Sequence, residues 1–166
     1  MHRAGIPGTF RAIERRRDKE GETMRILTGT CHCGNLNVSF ETELDPAGMV
    51  PRACQCSFCR RHSTAAVSDP AGTLTFRAAD PAQLNRYTFG LRSTEFLICR
   101  TCGVYVGAFM PDGDGAFANV MAGVLDARDE ITQPPVPVHR SQENFEERQA
   151  RRRIQWTPAL LIQESR

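Results

Sequence analysis

The sequence reads as a mainly β domain with a short helix near its C-terminus. Short apolar and aromatic runs alternate with polar residues, and Gly-, Pro- and Asp-rich turns separate the runs. One late segment changes from acidic to basic side chains along its length, as a helix dipole favours. The chain has 166 residues, is 40% hydrophobic and is 24% charged, so it can build a core without crosslinks.

Residues 1–23 read as a flexible arm. Gly5, Pro7 and Gly8 break it early, ERRRDKE is a solvated charge run, and Met24 offers a second start. A domain follows over residues 24–139. In it, Leu36, Val38 and Phe40 alternate with Asn37, Ser39 and Glu41, the period of a half-buried strand. Leu74 and Phe76 repeat that pattern in TLTFR at 73–77. RYTF (86–89), EFLI (95–98), VYVGAFM (104–110) and AFANVMAGVL (116–125) are further strand-like runs, separated by breaks such as LDPAG, SDPAG and PDGDG. PDGDGAFANV lacks the spacing of a calcium loop and reads as a turn. SFCRRHS predicts a short helical turn with Ser57 as its N-cap. After QPPVPV at 133–138, SQENFEERQARRR predicts a helix over 141–153, so residues 140–166 read as a C-terminal helix and tail. Arg151, Arg152 and Arg153 read as a solvated helix end, with anion binding as the alternative.

Charge narrows the function. Residues 1–23 hold six basic and four acidic side chains, and the remainder holds fifteen of each. A neutral body argues against a nucleic-acid partner. No apolar stretch approaches the roughly 18 residues of a membrane helix, and the N-terminus lacks the apolar core of a secretory signal. The expected location is the cytoplasm. Lys19 is the one lysine among 21 basic residues and falls in the arm, which disfavours a lysine Schiff base. Nothing in the sequence specifies an oligomeric state.

The seven cysteines carry the chemistry. Their odd number and the expected reducing compartment argue against a disulfide framework and for metal. Cys31-His32-Cys33-Gly34 and Cys99-Arg100-Thr101-Cys102-Gly103 both close on Cys-Gly. Such a knuckle turns sharply around a metal, and glycine permits the positive φ this requires. Two knuckles supply four thiolates, a complete structural zinc set, and four negative charges call for a thiophilic ion. The middle group, Cys54-Gln55-Cys56-Ser57-Phe58-Cys59, offers three thiols. Three ligands with an open position mark a catalytic zinc. His62, three residues after Cys59, can instead close a structural Cys₃His site, and a redox-active or metal-free thiol cluster is a third reading.

TGTCHCGNLNVSF, CQCSFCRRH, FLICRTCGVYVGAF and VMAGVLD together resemble the glutathione-dependent formaldehyde-activating enzyme and centromere protein V family, from about Thr28 to Asp126. The order and spacing of three cysteine groups make this resemblance specific. It implies a β-tent fold of twisted antiparallel sheets built around zinc. It implies two zinc ions per chain: a structural zinc on Cys31, Cys33, Cys99 and Cys102, and a second on Cys54, Cys56 and Cys59, where glutathione engages the metal. The implied activity is of carbon–sulfur lyase type, joining formaldehyde and glutathione into S-(hydroxymethyl)glutathione. On that reading the partner is a small thiol. Beside the resemblance, guanidinium geometry makes Arg60 and Arg61 candidates to pair with its carboxylates, with a solvated surface as the alternative, and His62 is a candidate to relay a proton. The competing reading is a zinc-stabilised protein- or nucleic-acid-binding module without catalysis. The neutral body weighs against nucleic acid.

Overall fold

The computed structural model describes residues 14–17 and 23–163. Among these residues, twelve strands form one mixed sheet. Strands β1 (Glu14–Arg17), β2 (Thr23–Thr30) and β3 (Leu36–Thr42) open it as antiparallel neighbours. The remainder of the predicted arm lies outside the described residues. Next come β4 (Arg52–Cys54), β5 (Ala66–Val67), β6 (Thr73–Ala78), β7 (Leu84–Tyr87) and β8 (Glu95–Cys99). The set is completed by β9 (Tyr105–Asp112), β10 (Gly115–Met121), β11 (Val136–Val138) and β12 (Thr157–Gln163). One path runs β1-β2-β3-β6-β12-β10-β5-β4-β11, and β10 also pairs with β9, which leads on to β8 and β7.

The mainly β reading holds, and most pairings are antiparallel. Two are parallel: β6 with β12, and β4 with β11. Both arise because a late segment returns to a strand laid down much earlier. The segment after the C-terminal helix thus becomes an inner strand of the sheet, between β6 and β10.

Alternation places the core. Along β3 and β6 the apolar positions Leu36, Val38, Phe40, Leu74 and Phe76 are buried, while Asn37, Ser39 and Thr75 are half-exposed. Full burial of Phe40 alone stabilises the fold by about 2–3 kcal/mol. β9 is different: Tyr105 to Met110 are all buried, because β9 is covered on both faces. Gly107 is required there, since a Cβ would lie 2.5 Å from the Asn119 carbonyl oxygen and 2.6 Å from the Phe76 ring.

The PDGDG segment is the β9–β10 turn, with Gly113 at φ 58°. Helix α1 (Ser57–Arg61) is present, but its cap is Cys56 and not Ser57: the Cys56 sulfur accepts from the Cys59 N–H at 3.4 Å. Extended backbone at Cys56 puts its side chain over the first turn, whereas Ser57 is already helical. Helix α2 (Phe145–Gln155) starts later than the predicted residue 141. Asn144 and Glu147 form a reciprocal capping box, with both bonds at 3.0 Å, which fixes the start. Among the described residues, no helix is long and apolar enough to cross a membrane.

Candidate functional site

Two hairpin turns hold the first thiol cluster. The β2–β3 turn carries Cys31 and Cys33, and the β8–β9 turn carries Cys99 and Cys102. The turns are built alike. Cys31 N–H donates to Leu36 O at 2.8 Å, and Cys99 N–H donates to Val104 O at 3.0 Å. Gly34 and Gly103 close them at φ 81° and 75°, the left-handed region that glycine tolerates. Asn35 locks the first turn to the β6–β7 connection: its side chain donates to Asp80 O and accepts from Asp80 N–H.

All four sulfurs lie within 4.8 Å of one another, with Cys31–Cys33 at 3.6 Å and Cys33–Cys99 at 3.5 Å. These separations are far longer than a disulfide bond. They approach the roughly 3.8 Å edge of a tetrahedron with metal–sulfur bonds of about 2.3 Å, the zinc–thiolate length. Leu36 N–H donates to the Cys31 sulfur at 3.2 Å. Burial pushes the Cys31 thiol up to about 12, and neighbouring thiols add to this against the Leu36 N–H. At Cys102 burial also acts upward, but N–H groups of Val104 and Cys33 and the adjoining thiols bring the group down to about 6. Four sulfurs brought together at these separations form a donor set that fits a thiophilic cation.

The second cluster joins Cys54 at the end of β4 to Cys56 and Cys59 at the start of α1, again with all sulfurs within 4.8 Å. A hydrogen bond from Cys59 holds Cys54 down to about 5 despite burial, with help from Cys56 and the Arg148 charge. Cys59 is pushed up as the donor in that pair, and by burial. Both clusters can hold a metal ion. Three sulfurs leave a tetrahedral metal one ligand short. Among the described residues no histidine or carboxylate joins them. His62 is exposed, and its ring packs on Phe58 and Tyr105 with centroids 4.5 and 5.3 Å away.

The three thiols line a cavity of about 460 Å³, and the four-thiol cluster does not. Phe89, Phe96 and Trp156 contribute apolar wall, and Tyr105 lies beside the thiols. Burial first, then the cysteine charges, push the Tyr105 hydroxyl well above its ordinary value, so it keeps its proton. Thr94 also lines the cavity, and its buried Oγ1 has no hydrogen-bond partner. Five arginines complete the wall: Arg52, Arg140, Arg148, Arg151 and Arg152.

Arg60 and Arg61 are exposed on α1 and are not in this lining; Arg61 donates to Ser57 O at 2.7 Å. The Arg151–Arg153 run divides. Arg151 and Arg152 face the cavity, while Arg153 forms a bidentate pair with Asp112 at 2.6 and 2.7 Å. Sequence reasoning missed Tyr105, Thr94, Arg52, Arg140 and Arg148. One signal was readable: Arg148, Arg151 and Arg152 are spaced i, i+3, i+4, which puts them on one helix face.

Residues 26–142 match the model of the glutathione-dependent formaldehyde-activating enzyme family. The chain belongs to that family. A crystal structure of a Rhodobacter sphaeroides protein, a structural-genomics target, is also similar, with a TM-score of 0.51 and 30% identity. The alignment covers 66% of this chain and 99% of that one. No curated protein matches the chain. The family match takes in all seven cysteines and ends before α2, so Arg148, Arg151 and Arg152 lie outside it.

Proposed function

We propose that this protein is a zinc-dependent enzyme that joins a small carbonyl compound, formaldehyde in the family's named reaction, to the sulfur of glutathione or a similar thiol. The observation that carries the reading is the contrast between the two clusters. One is a four-thiol set within two turns, away from the cavity; the other is a three-thiol set in the cavity wall. On this reading Cys31, Cys33, Cys99 and Cys102 hold a structural zinc, and Cys54, Cys56 and Cys59 hold the working one.

The reaction forms one C–S bond. The thiol proton ends on the former carbonyl oxygen, giving the S-hydroxymethyl product with no net oxidation. A zinc ion on Cys54, Cys56 and Cys59 would supply Lewis acidity, keeping a thiol ionised or polarising a carbonyl. The protein's own groups do the rest. Tyr105 and Thr94 line the cavity and offer hydroxyl protons to the oxygen that gains charge. Phe89, Phe96 and Trp156 exclude water, which competes for the carbonyl. His62 and Arg60 sit outside the cavity lining and are assigned no step.

The test is the rate of exchange between free glutathione and its formaldehyde adduct, measured by exchange NMR because the adduct also forms spontaneously. Protein with both metal sites filled is expected to raise that rate well above the uncatalysed one, and Cys56→Ser to remove the increase. An unchanged rate with both sites filled would overturn the reading.

A further inference from the structure

Among the described residues, the cavity beside the three thiols is lined by five guanidinium groups and by no carboxylate. One carboxylate outside the lining, Glu143, answers them. It takes a bidentate bond from Arg151 at 2.6 and 2.8 Å and lies 3.6 Å from Arg140 and from Arg148. Five positive charges face Glu143 and the adjoining cysteine set, which with a divalent metal on three thiolates carries one net negative charge, so the wall remains cationic.

These arginines are not solvated surface residues. Arg152 is 7% exposed, donates to Ser93 through Nη1 at 3.0 Å, and lies over the Trp156 ring at 4.7 Å. Its Nε is buried with no hydrogen-bond partner. The Nε of Arg148 is also buried and faces Glu143 Oε2 at 3.6 Å, while its Nη2 donates to the Arg140 and Glu143 carbonyls at 2.6 and 3.3 Å. Arg52 is half-buried and donates to Ser68 Oγ. Burial, then the neighbouring Arg151 and Arg148, act against the charge on Arg152. A buried guanidinium with an unused donor, set among others that repel it, is a cost unless something anionic meets it, and one carboxylate shared by three of its neighbours leaves most of that positive charge unanswered. Helix α2 presents Arg148, Arg151 and Arg152 from one face, and β4 brings Arg52 to the same cavity as Cys54.

We propose that this arginine wall is an anion subsite, and that the cavity takes a small thiol or thiol adduct bearing at least two oxyanion groups, carboxylate or phosphate. The position of the sulfur rests on the function proposed above; the anion subsite does not. It assigns substrate recognition to Arg52, Arg148, Arg151 and Arg152, the last three beyond the residues that define the family match.

The test is calorimetric binding to the zinc-loaded full chain. The probes are glutathione, its dimethyl ester with the thiol free and both carboxylates blocked, and the thiol-free anions glutarate and inorganic phosphate. Glutathione is expected to bind at least about 30-fold tighter than the diester. Glutarate or phosphate is expected to compete with glutathione, and whichever competes better names the oxyanion. Replacing Arg148 and Arg151 by Met should reduce the glutathione-to-diester ratio to below about threefold. Glu143→Gln, which removes the carboxylate shared by Arg140, Arg148 and Arg151, should tighten anion binding. The wild-type series decides the matter even if a variant fails to fold. Equal binding of glutathione and diester, with no binding of glutarate or phosphate, overturns the subsite and leaves the thiol chemistry standing. Binding of glutarate or phosphate with none of either thiol keeps the subsite and removes the thiol chemistry. Binding of no probe overturns the proposal.

Discussion

Cys56 does two jobs with one sulfur. It belongs to the three-thiol set, and it caps α1 by accepting from the Cys59 N–H. Serine is itself a good cap, so Cys56→Ser should alter stability by only about 1 kcal/mol. It should still lose the metal of that site. Chemical denaturation and metal analysis of the same variant check both halves. Cys31→Ser should behave oppositely, because Cys31 is fully buried where two distant hairpins meet. Loss of a structural metal there should cost several kcal/mol, on the scale of zinc-coupled folding. The cysteine groups were legible because metal chemistry demands particular side chains at short, fixed spacing. The cavity was not: Tyr105, Thr94 and Arg52 are common residues in unremarkable local sequence, and only sheet pairing brings them together. Ser57 was read as the cap because serine caps far more helices than cysteine; here the extended backbone falls one residue earlier, at Cys56.

At the scale of elements, α2 matters most because it supplies the cavity's basic wall. Its start depends on the Asn144–Glu147 box, so Asn144→Ala should cost about 1 kcal/mol in denaturant unfolding. Its charge network should also be pH-sensitive. Hydrogen bonding from Arg151 holds the Glu143 carboxyl below the usual glutamate range, aided by the charges of Arg151, Arg140 and Arg148. A carboxyl depressed on folding contributes stability that is complete above its unfolded pKa and is lost as pH falls through its folded one. The stability gap between wild type and Glu143→Gln should therefore be full near pH 6 and shrink below about pH 4. Acid release of metal is common to both proteins and cancels in the difference. Alternation exposed β3 and β6, which have one buried face each. It gave no signal for β12, where TPALLIQ follows a helix and joins β6 in parallel. It gave none for β11 either, since Pro137 sits in a stretch that reads as a break.

At the scale of the molecule, the sheet is tied together late in the chain. β12 bonds to both β6 and β10, so deleting residues 157–166 should prevent folding, as circular dichroism and proteolysis would show. The two thiol clusters divide the labour differently. One joins two hairpins, while the other faces the cavity, where the proposed function places the chemistry. A weak chelator should therefore remove the metal of the three-thiol site first, with little change in melting temperature. Removal from the four-thiol site should then destabilise the whole domain. The central claim is that the three-thiol metal keeps a place for substrate sulfur. Elemental analysis with zinc-edge X-ray absorption, before and after glutathione is added, tests it most directly. The account predicts about two zinc ions per chain, one of which gains a sulfur neighbour on titration. Two zinc ions whose surroundings do not change with glutathione would contradict it.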